Sequence, residues 1–314
     1  MRSRRSVTTS EVPVAVTEVP VENVAVRVLD DARCHLGEGT AYDVASDTAW
    51  WFDILGKRLH EMRLADGDVH RHALPVMASA LAFIDHARQL VAADDGLYVR
   101  TLADGRLTRV APLEDDNPAN RSNDGRAHPS GTFWIGTMGR NAEIRAGAIY
   151  AFRAGELSRI FTGITIPNAI CFSPDGGTGY FADTRSNVLH RVSVDPATGM
   201  PTGAPETLHV HGGPGGLDGA VVDAEGRIWC AIWGGACLRV FSSQGECVRA
   251  VAVPARQPSC PVFAGADFRR VLVTSAYQGM DETARAADAQ HGRTFVLDAG
   301  VTGRPEPRVR LGAA

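Results

Sequence analysis

Asn123 to Met138 reads NDGRAHPSGTFWIGTM, and its order of features returns at Pro167 to Thr184 (PNAICFSPDGGTGYFADT) and at Leu217 to Gly235 (LDGAVVDAEGRIWCAIWGG). Each stretch passes from a polar residue into a short apolar strand, through a turn carrying glycine, into a second strand rich in aromatic residues. Two such runs divided by Gly, Asp or Pro punctuation mark a hairpin rather than a helix. Ala65-Asp66-Gly67-Asp68, Ala103-Asp104-Gly105-Arg106, Pro174-Asp175-Gly176-Gly177 and Ala224-Glu225-Gly226-Arg227 are turns of the same kind, in which Gly supplies the positive φ a tight reversal needs. Helical periodicity is scarce, so the fold class is all-β.

Outward from these copies, the residues entering each unit are Glu38, Ala80, Asn123, Asn168, Asp218 and Ser259. They recur at roughly 40 to 50 residues, the length of one four-stranded propeller blade. Six units fit, which predicts a six-bladed β-propeller. A two-domain β-sandwich would need a linker of shifted composition near the middle, and Pro and Gly are instead spread in phase with the blades. A ring must close, and Val24-Ala25-Val26-Arg27-Val28 is suited to add a strand beside Thr294-Phe295-Val296-Leu297. Residues 1–22 read as a flexible leader and 23–314 as one propeller domain.

Composition narrows the function. The 314 residues are 44% hydrophobic and 22% charged, with a formal charge of −4 and Lys57 as the only lysine. A core of ordinary size fits these values, and the basic patch a nucleic-acid surface requires is missing. The longest apolar run, Val76 to Ile84, is about half of a membrane span. No secretory h-region follows Arg2, Arg4 and Arg5, so the expectation is a cytoplasmic protein with neither membrane nor nucleic-acid partner. Cys34, Cys171, Cys230, Cys237, Cys247 and Cys260 form no C-x-x-C pair and read as buried thiols. The sequence sets no oligomeric state.

No nucleophile elbow, H-E-x-x-H helix or phosphate loop is present. Polar residues stand instead at equivalent points of the repeat: Glu38 in LGEGT, Asn123 in RSND, Asn168 in IPNA and Asp218 in GLDG. In a propeller these points meet at one end of the central channel. Two carboxylates and carboxamides there offer hard oxygen ligands to a divalent cation on the axis. The bland alternative is turn capping by Asn and Asp side chains, which Glu38, a poor turn former, fits least. Trp50, Trp51, Trp134, Trp229 and Trp233 read as core packing, and His35 as a turn or surface residue.

The segments HLGEGTAYD, NRSNDGRAHPSGTFWIGTM, IPNAICFSPDGGTGYFADT, GGLDGAVVDAEGRIWCAIWGG and PSCPVFAGADFRRVLVTSA resemble, in order, the signature segments of the gluconolactonase, regucalcin and luciferin-regenerating family. The resemblance implies a six-bladed propeller hydrolysing a sugar lactone to its aldonic acid with one divalent metal, Ca²⁺ or Zn²⁺, with Mg²⁺, Mn²⁺ or Fe²⁺ in some relatives. It implies Glu38, Asn168 and Asp218 as metal ligands and Arg121 and Asn123 as substrate contacts. Asp218 is the candidate to position or deprotonate the attacking water, a hydroxide generated at the metal being the alternative. Competing readings are a non-enzymatic calcium-binding or scaffold propeller and a related metal-dependent esterase or phosphotriesterase. The chain departs from the family pattern at Ala169, where Gly is usual, and after Met138, where Arg140 and Arg145 stand in a segment that often presents an acid. If those arginines rimmed the channel they would favour an anionic lactone; the default expectation is a neutral one.

Overall fold

Four strands joined by tight turns form each unit, buried on both faces in the inner strands and most exposed in the outermost, and six units surround one channel. A computed structural model describes residues 19–312. The innermost strands are Gly37–Asp43, Ala78–Phe83, Asn120–Ala127, Pro167–Phe172, Gly216–Val222 and Pro258–Ala264, so each of the six entry residues read from the sequence lies in one. Blades 1 to 5 are antiparallel sheets of four consecutive strands. The sixth takes Ala25–Asp30 as its outer strand, paired antiparallel with Thr294–Asp298 through Val26↔Leu297 and Val28↔Phe295. The N-terminal strand thus closes the ring as expected.

The stretch read as leader needs a finer boundary. Val21–Glu22 forms a short strand parallel to Cys247–Ala252 on the outer edge of blade 5, whereas residues 1–18 of that stretch lie outside the described residues. The predicted turns hold: Gly67, Gly105, Gly176 and Gly226 all have positive φ, between 70° and 83°.

Apolar residues of adjacent blades meet in six clusters, one at each junction. Trp50 and Phe52 of blade 1 pack with Leu81 and Phe83 of blade 2, while Trp229 of blade 5 packs with Phe263 and Phe295 of blade 6. Edge-to-face rings tie neighbours together, as at Trp134–Phe172, 5.0 Å between centroids, a geometry that adds about 0.5–1.5 kcal/mol to the burial. Because these clusters are radial, the inner strands can spare their channel-facing ends for polar side chains. The six cysteines are free, and all but Cys247 are buried. Among the described residues no helix is long and apolar enough to cross a membrane.

Candidate metal and substrate site

Every inner strand breaks register with its neighbour near its start: between Glu38 and Ala41, Ser122 and Gly125, Asn168 and Cys171, and Leu217 and Ala220 in the four blades that carry the candidate ligands. A β-bulge re-aims side chains and bends the strand. The residue after two of the candidates takes the left-handed conformation, Gly39 at φ 58° and Ala169 at φ 52°. At Gly39 the choice of residue is forced, since a Cβ there would lie 2.1 Å from the Ser79 carbonyl oxygen. Ala169 shows that the blade 4 position has room for a methyl.

Glu38, Arg121, Asn123, Asn168 and Asp218, up to 180 positions apart (218 − 38), line one cavity of about 480 Å³. Each is buried, with 3–7% of its surface exposed. The Asn168 amide is oriented by its neighbours. The Thr184 hydroxyl donates to the Leu217 carbonyl at 2.6 Å and accepts from Asn168 Nδ2 at 2.8 Å. That leaves Asn168 Oδ1 beside Asn123, whose Nδ2 donates to it at 3.0 Å and to the Pro167 carbonyl at 3.0 Å. Asn123 Oδ1 accepts from Arg121 Nη1 at 2.8 Å. Asn123 therefore couples Arg121 to Asn168 rather than presenting a free amide.

Too much negative charge is gathered here for the positive charge present. Burial, and then the charge of Asp124, push the Glu38 carboxyl up to about 8. Asp218 is driven well above the usual carboxylate range by burial, then by Glu38 and Asp124. Burial also lifts Asp124 to about 6 and lowers Arg121 to about 10, which leaves Arg121 charged at neutral pH. With all groups ionised, three carboxylates against one guanidinium give −3 + 1 = −2. Asp218 Oδ2 is buried without a hydrogen-bond partner, a state that costs a buried oxygen about 1–3 kcal/mol or more. Two carboxylates, an amide oxygen, an orphaned acceptor and a net charge of −2 are a fit for one hard divalent cation.

Sequence reading missed Asp124, Thr184 and Trp233. Asp124 lies beneath the candidate ligands and accepts from the Ile170 N–H at 2.7 Å. Its signal was available: the residue after the candidate is Gly39, Ala169 and Gly219 in three blades and an acid in the fourth. Trp233, read as core, is half-buried and lines the cavity with Leu36, Met138 and Ile166. The other four tryptophans are buried as expected. Arg140 does reach the cavity wall, but its guanidinium is paired with Asp94 Oδ2 at 2.8 Å. Arg145 is not part of that wall. His35 stacks on Tyr277, 4.9 Å between centroids, outside the lining.

Residues 36–277 match the family model described as SMP-30/Gluconolactonase/LRE-like region. The chain is 54% identical over 286 residues to a Rhizobium meliloti protein provisionally named a sugar lactone lactonase, covering 91% of this chain and 97% of the relative. A Haloferax volcanii relative named pentonolactonase XacC is 31% identical, with 90% and 98% covered. A crystal structure of regucalcin from Agrobacterium tumefaciens, described as a calcium-binding protein, superposes with a TM-score of 0.91 at 52% identity over 93% of this chain and 99% of that one. Fold, order of signature segments and extent of match agree: the chain belongs to the SMP-30/gluconolactonase/LRE-like family.

Proposed function

We propose that the protein opens sugar lactones to aldonic acids, using one divalent cation held by Glu38, Asn168 and Asp218. The observation that carries this reading is the unpartnered Asp218 oxygen among converging hard-oxygen ligands, under a cavity whose size lies within the ~300–1,000 Å³ typical of small-molecule sites. The names of the lactonase relatives support the reaction class, and the calcium-binding description of the regucalcin structure supports the cation. When bound, the cation supplies Lewis-acid polarisation of the lactone carbonyl.

The chain's own groups do the rest. Arg121, charged and held by Asn123, directs hydrogen bonds at the carbonyl or ring hydroxyls and fixes the lactone over the carboxylates. Trp233, Leu36 and Ile166 form an apolar wall for the C–H face of the sugar ring and keep water from that side. Asp218 accepts the proton of the attacking water as its oxygen bonds to the carbonyl carbon. The ring C–O bond then breaks, the leaving alkoxide takes the proton, and the open hydroxy acid results. The substrate class is a neutral pentono- or hexonolactone, because Asp94 already neutralises Arg140.

The test is pH-stat titration of metal-stripped protein on gluconolactone and pentonolactones, with Ca²⁺, Zn²⁺, Mg²⁺, Mn²⁺ and Fe²⁺ restored singly, and with an aryl ester and a phosphotriester alongside. Lactone turnover that appears only with a divalent ion and exceeds turnover of both esters is expected. Full activity after chelation, or faster ester cleavage, would overturn it.

A further inference from the structure

The segment after the last strand has no regular secondary structure, yet residues 299–312 are pinned to all six blades. The Ala224 N–H of blade 5 donates to Thr302 O at 3.0 Å, and Gly303 N–H donates to Phe268 O of blade 6 at 2.8 Å. Arg304 donates to the Phe172 and Pro174 carbonyls of blade 4, both at 3.3 Å. Arg308 reaches Asp43 of blade 1 at 2.9 Å, Val309 N–H donates to Phe83 O of blade 2 at 2.7 Å, and Arg310 N–H donates to Gly131 O of blade 3 at 3.0 Å. Every one of these blade partners lies where an inner strand has ended and its hairpin begins, the end of the channel opposite the cavity. Where Arg304 to Pro307 face Arg126, Cys171 and Val221, a cavity of only about 20 Å³ is left.

One side chain of the strap points up the channel. Glu306 Oε1 pairs with Arg126 Nη1 at 2.6 Å, with 12% and 8% of the two side chains exposed. Arg126 lies on the same inner strand as Arg121, Asn123 and Asp124, two residues beyond Asp124. Along the axis the buried charges therefore run Glu306, Arg126, Asp124, then Glu38 and Asp218 with Arg121. Over these six groups the sum is −4 + 2 = −2, and without Glu306 it is −1; Arg304, half-buried on the strap, is a further cation whose charge Glu306 also faces.

We propose that the C-terminal strap plugs the channel and that Glu306 is a positioning residue which, by neutralising Arg126, keeps the cation site at the charge a divalent ion matches. This rests on the reading of Glu38, Asn168 and Asp218 as cation ligands. The strap lies outside residues 36–277, the part that matches the family model.

Calorimetric titration of the metal-stripped full-length chain with Ca²⁺ separates the two ideas. A wild type that binds no Ca²⁺ overturns the cation site itself. If the wild type binds, Glu306→Gln, which keeps shape and removes charge, is expected to weaken Ca²⁺ about tenfold or more. Glu306→Asp, which keeps the charge and shortens the reach, is expected to stay within about threefold, and kcat at saturating Ca²⁺ is expected within about twofold for both. Glu306→Gln binding Ca²⁺ like wild type while its Tm falls would reduce the strap to a structural tie and overturn the proposal. Should Glu306→Gln fail to fold, Arg126→Met with Glu306→Met removes the two paired charges together and leaves the sum over the other column groups at −2. Its Ca²⁺ affinity is expected within about threefold of wild type, and a loss beyond tenfold would overturn the proposal.

Discussion

Replacing Glu38 by Gln should stabilise the metal-free protein, and the gain should depend on pH in one direction only. Its carboxyl ionises near 4.5 in the unfolded chain and is pushed up to about 8 in the fold by burial and by Asp124. An acid raised in the fold contributes its full stability below the unfolded value and loses it as pH climbs to the folded one. At 1.36 kcal/mol per pH unit, the interval from 4.5 to 7 costs the wild type about 3 kcal/mol, against about 1 kcal/mol at pH 5.5. Glutamine carries no such cost and keeps an acceptor for the Gly39 N–H, which Glu38 Oε2 receives at 3.2 Å. At about 2–4 °C per kcal/mol for a domain of this class, the variant should melt about 6–12 °C above wild type at pH 7 in chelator, and about 2–4 °C above at pH 5.5. With Ca²⁺ at about 100 times Kd, the wild type regains about 2.7 kcal/mol and the variant little, which closes most of the gap. Urea titrations in chelator at pH 5.5, 7 and 8, repeated in Ca²⁺, measure both effects. A variant less stable than wild type at every pH, or a gain that does not grow with pH, would refute the charge argument.

Three further outcomes follow from the geometry. Thr184→Val removes the hydroxyl that orients Asn168, so Ca²⁺ affinity measured by calorimetry should fall about tenfold; unchanged affinity would show that the Asn168 oxygen is not a ligand. Gly39→Ala places a methyl 2.1 Å from the Ser79 carbonyl at a positive φ, so urea denaturation should show a loss of about 2–5 kcal/mol, and a loss below about 1 kcal/mol would mean the bulge is not rigid. Arg140→Ala breaks the pair with Asp94. The KM values of a neutral and an anionic lactone should then change by the same factor within about twofold, and a selective rise for the anionic one would restore the cationic-rim idea.

Much of the architecture is legible because propeller blades repeat their turn chemistry. The positive-φ glycines at 176 and 226 and the aromatic second strands fall in phase, and Val26 pairs where the closing strand was expected. The four entry residues Glu38, Asn123, Asn168 and Asp218 could be brought to one point because equivalent positions of a ring must converge. Asp124 escaped notice because alternation along a strand sends adjacent side chains to opposite faces, whereas the register shift between Ser122 and Gly125 turns both Asn123 and Asp124 inward. Thr184 and Trp233 act at the far ends of second strands, where burial patterns give no cue. The strap has no periodicity to read: its order comes from scattered bonds to carbonyls of blades 2, 3, 4 and 6, to the Asp43 carboxylate of blade 1 and from the Ala224 N–H of blade 5. Arg126 carries no mark in the sequence, because its partner Glu306 lies 180 positions away.

Anomalous diffraction from crystals soaked in a single divalent ion addresses the central claim most directly. The account predicts one peak on the channel axis, bonded to Glu38, Asn168 Oδ1 and the free Asp218 Oδ2, at about 2.3–2.6 Å for Ca²⁺ or about 2.0–2.2 Å for Zn²⁺. A channel without a peak in protein that hydrolyses lactones, or a peak held by other residues, would contradict it.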